Sequence, residues 1–369
     1  MKILFVTDVI DCWKHGIWFH RQEMPSVALS LRGHAIKQVA MGVVFPPALM
    51  EWPDTVIFGR AYATHFDPIK IMRDYKKLGK RVLYDMDDDF WEIAKDNPSV
   101  LVGNAMKDQY EGMIKEADAV ITPSKVLAKK FQKYFKKKIF ICPNAIDPDV
   151  YKERPHTQKD LVIGYMGASS HWADLGVVAE VINDLSKKYG FIFTLYGLVG
   201  EPFEAAIYSY RKILLDNTMP EKEAFFKSAI AFYDKLKDTK FWHVPFMPPQ
   251  LHPTVLARCD IDIAIAPLVD NTFNRGKSCI KFYEYASTGS VTLASDVLPY
   301  SDEVGYCAKN TYKDWYKKLE KLIIDKAFRD KLLEKQKAWV LKNRTVEAVA
   351  LDWELACQLP SKLKTLNQR

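Results

Sequence analysis

The stretch Asp270–Ser295, DNTFNRGKSCIKFYEYASTGSVTLAS, decides the fold of this 369-residue chain. It follows an apolar run, IDIAIAPL (261–268), with the length and content of a buried strand. The spacing predicts a helix beginning near Asn274–Lys277, stopped by Gly289 and followed by a further strand, VTLAS. Lys277 and Lys281 are four apart and Glu284 lies three beyond, so one helix face carries all three. Two ammonium groups at a helix N-terminus suit a diphosphate, and a carboxylate one turn on suits ribose hydroxyls. The same spacing also fits a solvated face with a Lys–Glu pair.

Outward from this unit, strand-like runs alternate with helical stretches in both directions, which predicts an α/β chain with parallel sheets. In the first half the runs are KILFVTDV, AIKQVAMG, TVIFGR, RVLYDMD, AVITPS and KIFICPN. They make a complete doubly wound unit ending near Ile146–Asp147, and the length calls for a second one. Composition is that of an ordinary globular protein, with a formal charge of +7. That charge suits DNA, an anionic membrane surface or simple solubility. No apolar run approaches the roughly 20 residues of a membrane span, and MKILFVTDVI reads as a first buried strand rather than a signal peptide. A cytoplasmic location is the expectation. The six cysteines are scattered without a CxxC pair, so neither zinc nor a disulfide framework is expected.

Ligands of such sheets sit at the carboxyl ends of the strands, so the strand-to-helix loops hold the candidate chemistry. The first loop, DVIDCWKHGIWFHRQEMP, carries Trp13, Trp18 and Phe19 with His15, His20 and Arg21, and lacks G-x-G-x-x-G. It suits an acceptor, or its aromatics pack as the loop's own core. In YDMDDDFWEI, Asp85, Asp87, Asp88 and Asp89 follow a strand directly. They fit a D-x-D clamp for Mg²⁺ or Mn²⁺, a helix N-cap, or a carboxylate that activates an acceptor hydroxyl. In DLVIGYMGASSHWADL, small residues after a strand let a backbone approach a phosphate, which makes Gly167, Ala168 and Ser169 candidate contacts. His171 fits a sugar contact or a helix cap. The basic run Lys136–Lys138 reads as a solvated helix end. Residues 198–240 read as extra helices that modify the acceptor side or support a dimer.

The pattern FN-x-x-KS-x-x-K-x-x-EY-x-x-x-G resembles the donor-binding segment of group 1 glycosyltransferases of GT-B fold, bacterial or phage type. YDMDDDFW, PNAID, IGYMGASSHWADL and IAPLVDN resemble stretches of the same family in the same order, so the resemblance covers most of the chain. It implies two doubly wound Rossmann-like domains facing a cleft. Residues 1–150 form the acceptor side, joined by a C-terminal helix at about 346–369 that crosses back. Residues 151–345 form the donor side. It implies a nucleoside-diphosphate sugar as co-substrate, no tightly bound cofactor and no required divalent metal. Gly167, Ser169, His171, Val244, Lys277, Lys281 and Glu284 are the implied donor-site residues, with the nucleotide base held around His243–Phe246. Many retaining relatives carry a Glu eight residues before the ribose-binding one, a position occupied here by Gly276. Asp270, Asn271 or Asn274 then stands as the sugar contact. Asp87, Asp88, His15 and Asn274 are the catalytic candidates. The acceptor implied is a glycan or lipid-linked glycan precursor, with peripheral membrane contact. Hydroxymethylated DNA is the alternative, suiting the charge and the aromatic loop. A non-catalytic sugar-nucleotide-binding partner protein is the third.

Overall fold

The computed structural model describes residues 1–7, 16–40, 46–60, 67–236 and 239–358. The first half forms β1 (Lys2–Thr7), β2 (Ala35–Ala40), β3 (Thr55–Phe58), β4 (Arg81–Asp85), β5 (Ala119–Thr122) and β6 (Lys138–Ile141). The second forms β7 (Val162–Ala168), β8 (Ile192–Leu198), β9 (Phe241–Pro245), β10 (Ile263–Ala266), β11 (Val291–Ser295) and β12 (Cys307–Ala308). Their spatial orders are β2-β1-β3-β4-β5-β6 and β12-β11-β10-β7-β8-β9, and neighbours pair in parallel. Helices cover both faces, so central strands such as Leu4–Val6 and Ile263–Ala266 are apolar and buried throughout. Strand order reverses between β1 and β3 and between β7 and β10. A doubly wound sheet opens a crevice at that reversal, on the carboxyl side.

The chain crosses between the halves twice. After β6 it runs to β7, and near its end Ile146 and Thr345 form a parallel bridge. Helix Lys326–Asn343 lies on the second sheet, where Gln336 bonds Thr292 through both its amide oxygen and its amide nitrogen. Helix Val346–Cys357 lies on the first. There Trp353 packs 6.3 Å from Phe5, and the carbonyls of Ala356 and Cys357 accept from Arg81 and Thr55. The helices Phe203–Leu215 and Glu223–Leu236 are an extra layer on the second sheet. Phe203 stacks on Trp172 at 5.6 Å, and Phe225, Phe226 and Phe232 join the same core. Among the described residues no helix is long and apolar enough to cross a membrane.

Candidate active site

Two joined cavities occupy the crevice. One, of about 190 Å³, is walled by Gly167, Tyr196, Phe246, Met247, His252 and Glu284. The other, of about 340 Å³, lies between Arg60, Asp87, Asp88 and Phe90 on one side and Ser170, His171, Lys277 and Lys281 on the other. His20, Ala168 and Lys281 line both. The floor of the smaller cavity depends on Gly197, whose φ of +91° favours glycine and where a Cβ would stand 2.3 Å from the Gly167 carbonyl. Ser169 and Val244 do not wall either cavity; Ser170, Phe246 and Met247 stand there instead.

Glu284 is buried in helix Ile280–Ser287. Its Oε1 accepts from the Tyr151 hydroxyl at 2.5 Å and meets His252 Nε2 at 3.1 Å and His20 Nε2 at 3.5 Å. Burial opposes ionisation, but His252, His20 and Tyr151 outweigh it and hold the carboxyl down to about 2. His252 is fixed in turn by the Tyr196 hydroxyl, 2.9 Å from its Nδ1. His20 comes from a π turn, Phe19–Glu23, inside the helical segment 16–31; such turns re-aim side chains at sites. The expected first loop is therefore helical from Gly16 onward. His15 and Trp13 lie outside the described residues.

Lys277 and Lys281 do not share one helix. Asn271 caps a short helix, Thr272–Arg275, and the chain breaks before Ile280, so Lys277 sits in the break. The cause is tertiary. The Gly276 carbonyl accepts from Ser124 Oγ at 2.8 Å, and a Cβ at Gly276 would meet Leu127 at 2.9 Å. Position 276 faces the helix Lys125–Tyr134 of the first half. The buried Asn274 amide donates to Val269 O at 2.9 Å and Asp174 Oδ1 at 3.2 Å, holding the loop after β10.

Lys281 Nζ stands 3.2 Å from His171 Nε2, and His171 Nδ1 stands 2.7 Å from Asp174 Oδ2. Removal from water, then the Lys277 and Lys281 charges, push His171 down to about 3, so it is neutral. Burial and Lys277 lower Lys281 to about 8. No carboxylate among the described residues forms an ion pair with Lys277 or Lys281.

The opposite wall differs from both structural expectations for the aspartates. Residues 86–99 are irregular and the next helix begins at Val100, so the acids cap no helix. Arg21 takes both oxygens of Asp85, at 2.5 and 2.9 Å, which leaves a D-x-D clamp without a free first carboxylate. Arg60 bonds Asp87 at 2.8 Å and Asp88 at 2.9 Å, and Lys130 pairs with Asp89. Burial and Asp87 raise the Asp88 carboxyl above the usual range, against Arg60 and Lys277. Among the described residues no cluster of His, Cys, Asp or Glu is arranged to hold a metal ion.

Sequence reasoning missed Arg60, Tyr151, Asp174 and His252. Arg60, Tyr151 and His252 have partners far away in the chain, and Asp174, though three residues from His171, bonds Asn274 a hundred residues on. PNAID was the nearest signal: its Asn144 ties Arg21 to Ser278 beside Lys277.

No protein-family model matches the chain. No curated protein matches it in sequence. Solved structures do match. A glycosyltransferase from Rickettsia africae ESF-5 is 12% identical over 96% of this chain and 97% of its own, with a TM-score of 0.60. An alpha-glucosyltransferase, solved with UDP and a 13-mer DNA containing an HMU base, is 13% identical over 96% and 98%, with a TM-score of 0.63. S. aureus TarM, solved with fondaparinux, alpha-GlcNAc-glycerol and UDP, is 13% identical over 83% of this chain and 55% of its own, with a TM-score of 0.56. What these structures share with this chain is a fold, and the two parallel sheets, the crevice and the helix that crosses back identify it as GT-B.

Proposed function

We propose that this protein transfers a sugar from a nucleoside-diphosphate sugar to a hydroxyl of a surface-glycan precursor in the cytoplasm. The observation that carries this is a pair of lysines without an acidic partner among the described residues, facing Asp88 across one cavity. Negative charge builds on the departing diphosphate as the glycosidic bond breaks, and cations fixed beforehand act on that charge. Lys277 and Lys281 take this role without a divalent ion. Glu284 receives the ribose hydroxyls on Oε2, since its three contacts use Oε1. The base lies against Phe246 and Met247, and the Gly167–Ala168 backbone approaches the phosphates. Asp88, with its raised affinity for protons, takes the acceptor proton. Residues 1–150 with the last helix form the acceptor side, and 151–345 the donor side. Retention of anomeric configuration is part of this proposal, supported by the likeness to an alpha-glucosyltransferase, and the anomeric coupling constant of the product tests it.

A second acceptor, hydroxymethylated DNA, is favoured by one feature. Residues 119–146 hold seven lysines and no acid, with Lys125, Lys129, Lys133, Lys136 and Lys138 exposed. The same face suits an anionic membrane carrying a lipid-linked acceptor. Against DNA stands the cleft itself, where Asp87 and Asp88 line the acceptor wall.

Slow hydrolysis and thermal shift across UDP-, GDP-, ADP- and TDP-sugars test the donor. A shift and turnover with one nucleotide identify it. No shift with any would leave a protein without this activity. Glycan precursors and hydroxymethylated DNA, offered with that donor, then separate the acceptors.

A further inference from the structure

We infer that Asp174, a buried carboxylate that walls neither cavity, sets the tautomer of His171 and thereby fixes the Lys281 ammonium at the diphosphate position. Asp174 is a positioning residue, and its assignment rests on the donor site proposed above.

The two oxygens of Asp174 have separate tasks. Oδ1 accepts from the Val269 backbone N–H at 2.7 Å and from Asn274 Nδ2 at 3.2 Å, which pins the loop after β10. Oδ2 faces His171 Nδ1 at 2.7 Å. An ionised carboxylate only accepts, so the proton of the neutral imidazole lies on Nδ1. Nε2 is then a lone pair, and Lys281, which only donates, is directed onto it at 3.2 Å. Fixing a ring's tautomer through the far nitrogen is how a carboxylate acts at a distance. Without Asp174 the ring can carry its proton on Nε2. An N–H would then confront the ammonium, in a pocket where Lys277 already repels it. Other charged groups around Lys281 are Glu284 on its own helix, and His20, Arg21, Arg60, Asp87 and Asp88 across the cavity.

Asp174→Asn separates the tasks. The amide oxygen takes over Oδ1 and keeps Val269 and Asn274, while the NH₂ replaces Oδ2 and must donate to Nδ1. The ring proton moves to Nε2. Long-range ¹H–¹⁵N spectra of the ligand-free full chain, with His171 assigned through His171→Gln, read this directly. The expected result is Nδ1–H in the wild type and Nε2–H in Asp174→Asn. UDP titration is the second readout. Asp174→Asn is expected to bind UDP at least tenfold more weakly at pH 8.5, with a smaller loss at pH 6.5, because the Lys281 ammonium is destabilised. Nε2–H in the wild type would overturn the inference even if the variant fails to fold. Unchanged UDP affinity and pH profile in a folded variant would overturn it too. A wild type that shows Nδ1–H but binds no nucleoside diphosphate would sink the donor-site reading instead and leave the tautomer assignment standing.

Discussion

The two walls of the cleft handle charge in opposite ways. On the first, Asp85, Asp87, Asp88 and Asp89 each face a cation: Arg21, Arg60 for the middle two, and Lys130. On the second, Lys281 faces a neutral histidine, Lys277 stands close by, and the carboxylate that bonds that histidine, Asp174, is spent on it and on two loop donors. A compensated wall is stable before any ligand arrives. An uncompensated one holds a cost that an anion relieves: burial first, and then the Lys277 charge, lower the proton affinity of Lys281. The contrast teaches where binding energy is stored: in the wall whose charges lack partners, not in the one with more ion pairs.

The contrast makes stability and binding separable. Arg60→Ala should give the largest change in stability, about 3 kcal/mol by urea denaturation. It strips two carboxylates of their cation and removes a guanidinium 4.3 Å from the Phe90 ring. Glu284→Gln comes next, at about 2 kcal/mol, because Tyr151, His252 and His20 lose a charged acceptor. It should also weaken donor binding. Gly276→Glu sharpens the comparison from the side of the resemblance. The side chain is forced against Leu127, so thermal melting should show a loss of about 1–2 kcal/mol and activity assays no gain. The smallest effect is one of pH. A lysine is charged below its pKa, so UDP affinity should hold at pH 7 and fall several-fold as pH rises through about 8. Titration calorimetry across that range checks it.

Much of this was legible in the chain. Parallel strands covered on both faces read as unbroken apolar runs, which is why AVIT, RVLYD and IAIA stood out. Lys277, Lys281 and Glu284 were picked out by the family resemblance together with their spacing, which alone also fits a solvated face, and all three line the cavities. The break in their helix was not legible, because K-x-x-x-K fits a continuous helix equally well. Ser124 and Leu127, some 150 residues earlier, impose the break. The pairing of the aspartates was hidden for the same reason: Arg21 lies 64 residues from Asp85. Asp174 stands three residues after His171, and that H-x-x-D spacing was its one local signal; its other partners, Val269 and Asn274, are about a hundred residues away and meet it only in the fold.

The most direct test of the central claim is UDP titration against wild type, Lys281→Ala and Arg60→Lys. Loss of an uncompensated, desolvated ammonium should weaken binding about a hundredfold, while the charge-conserving change on the compensated wall should leave it nearly unchanged. Undiminished UDP binding by a folded Lys281→Ala would contradict the account.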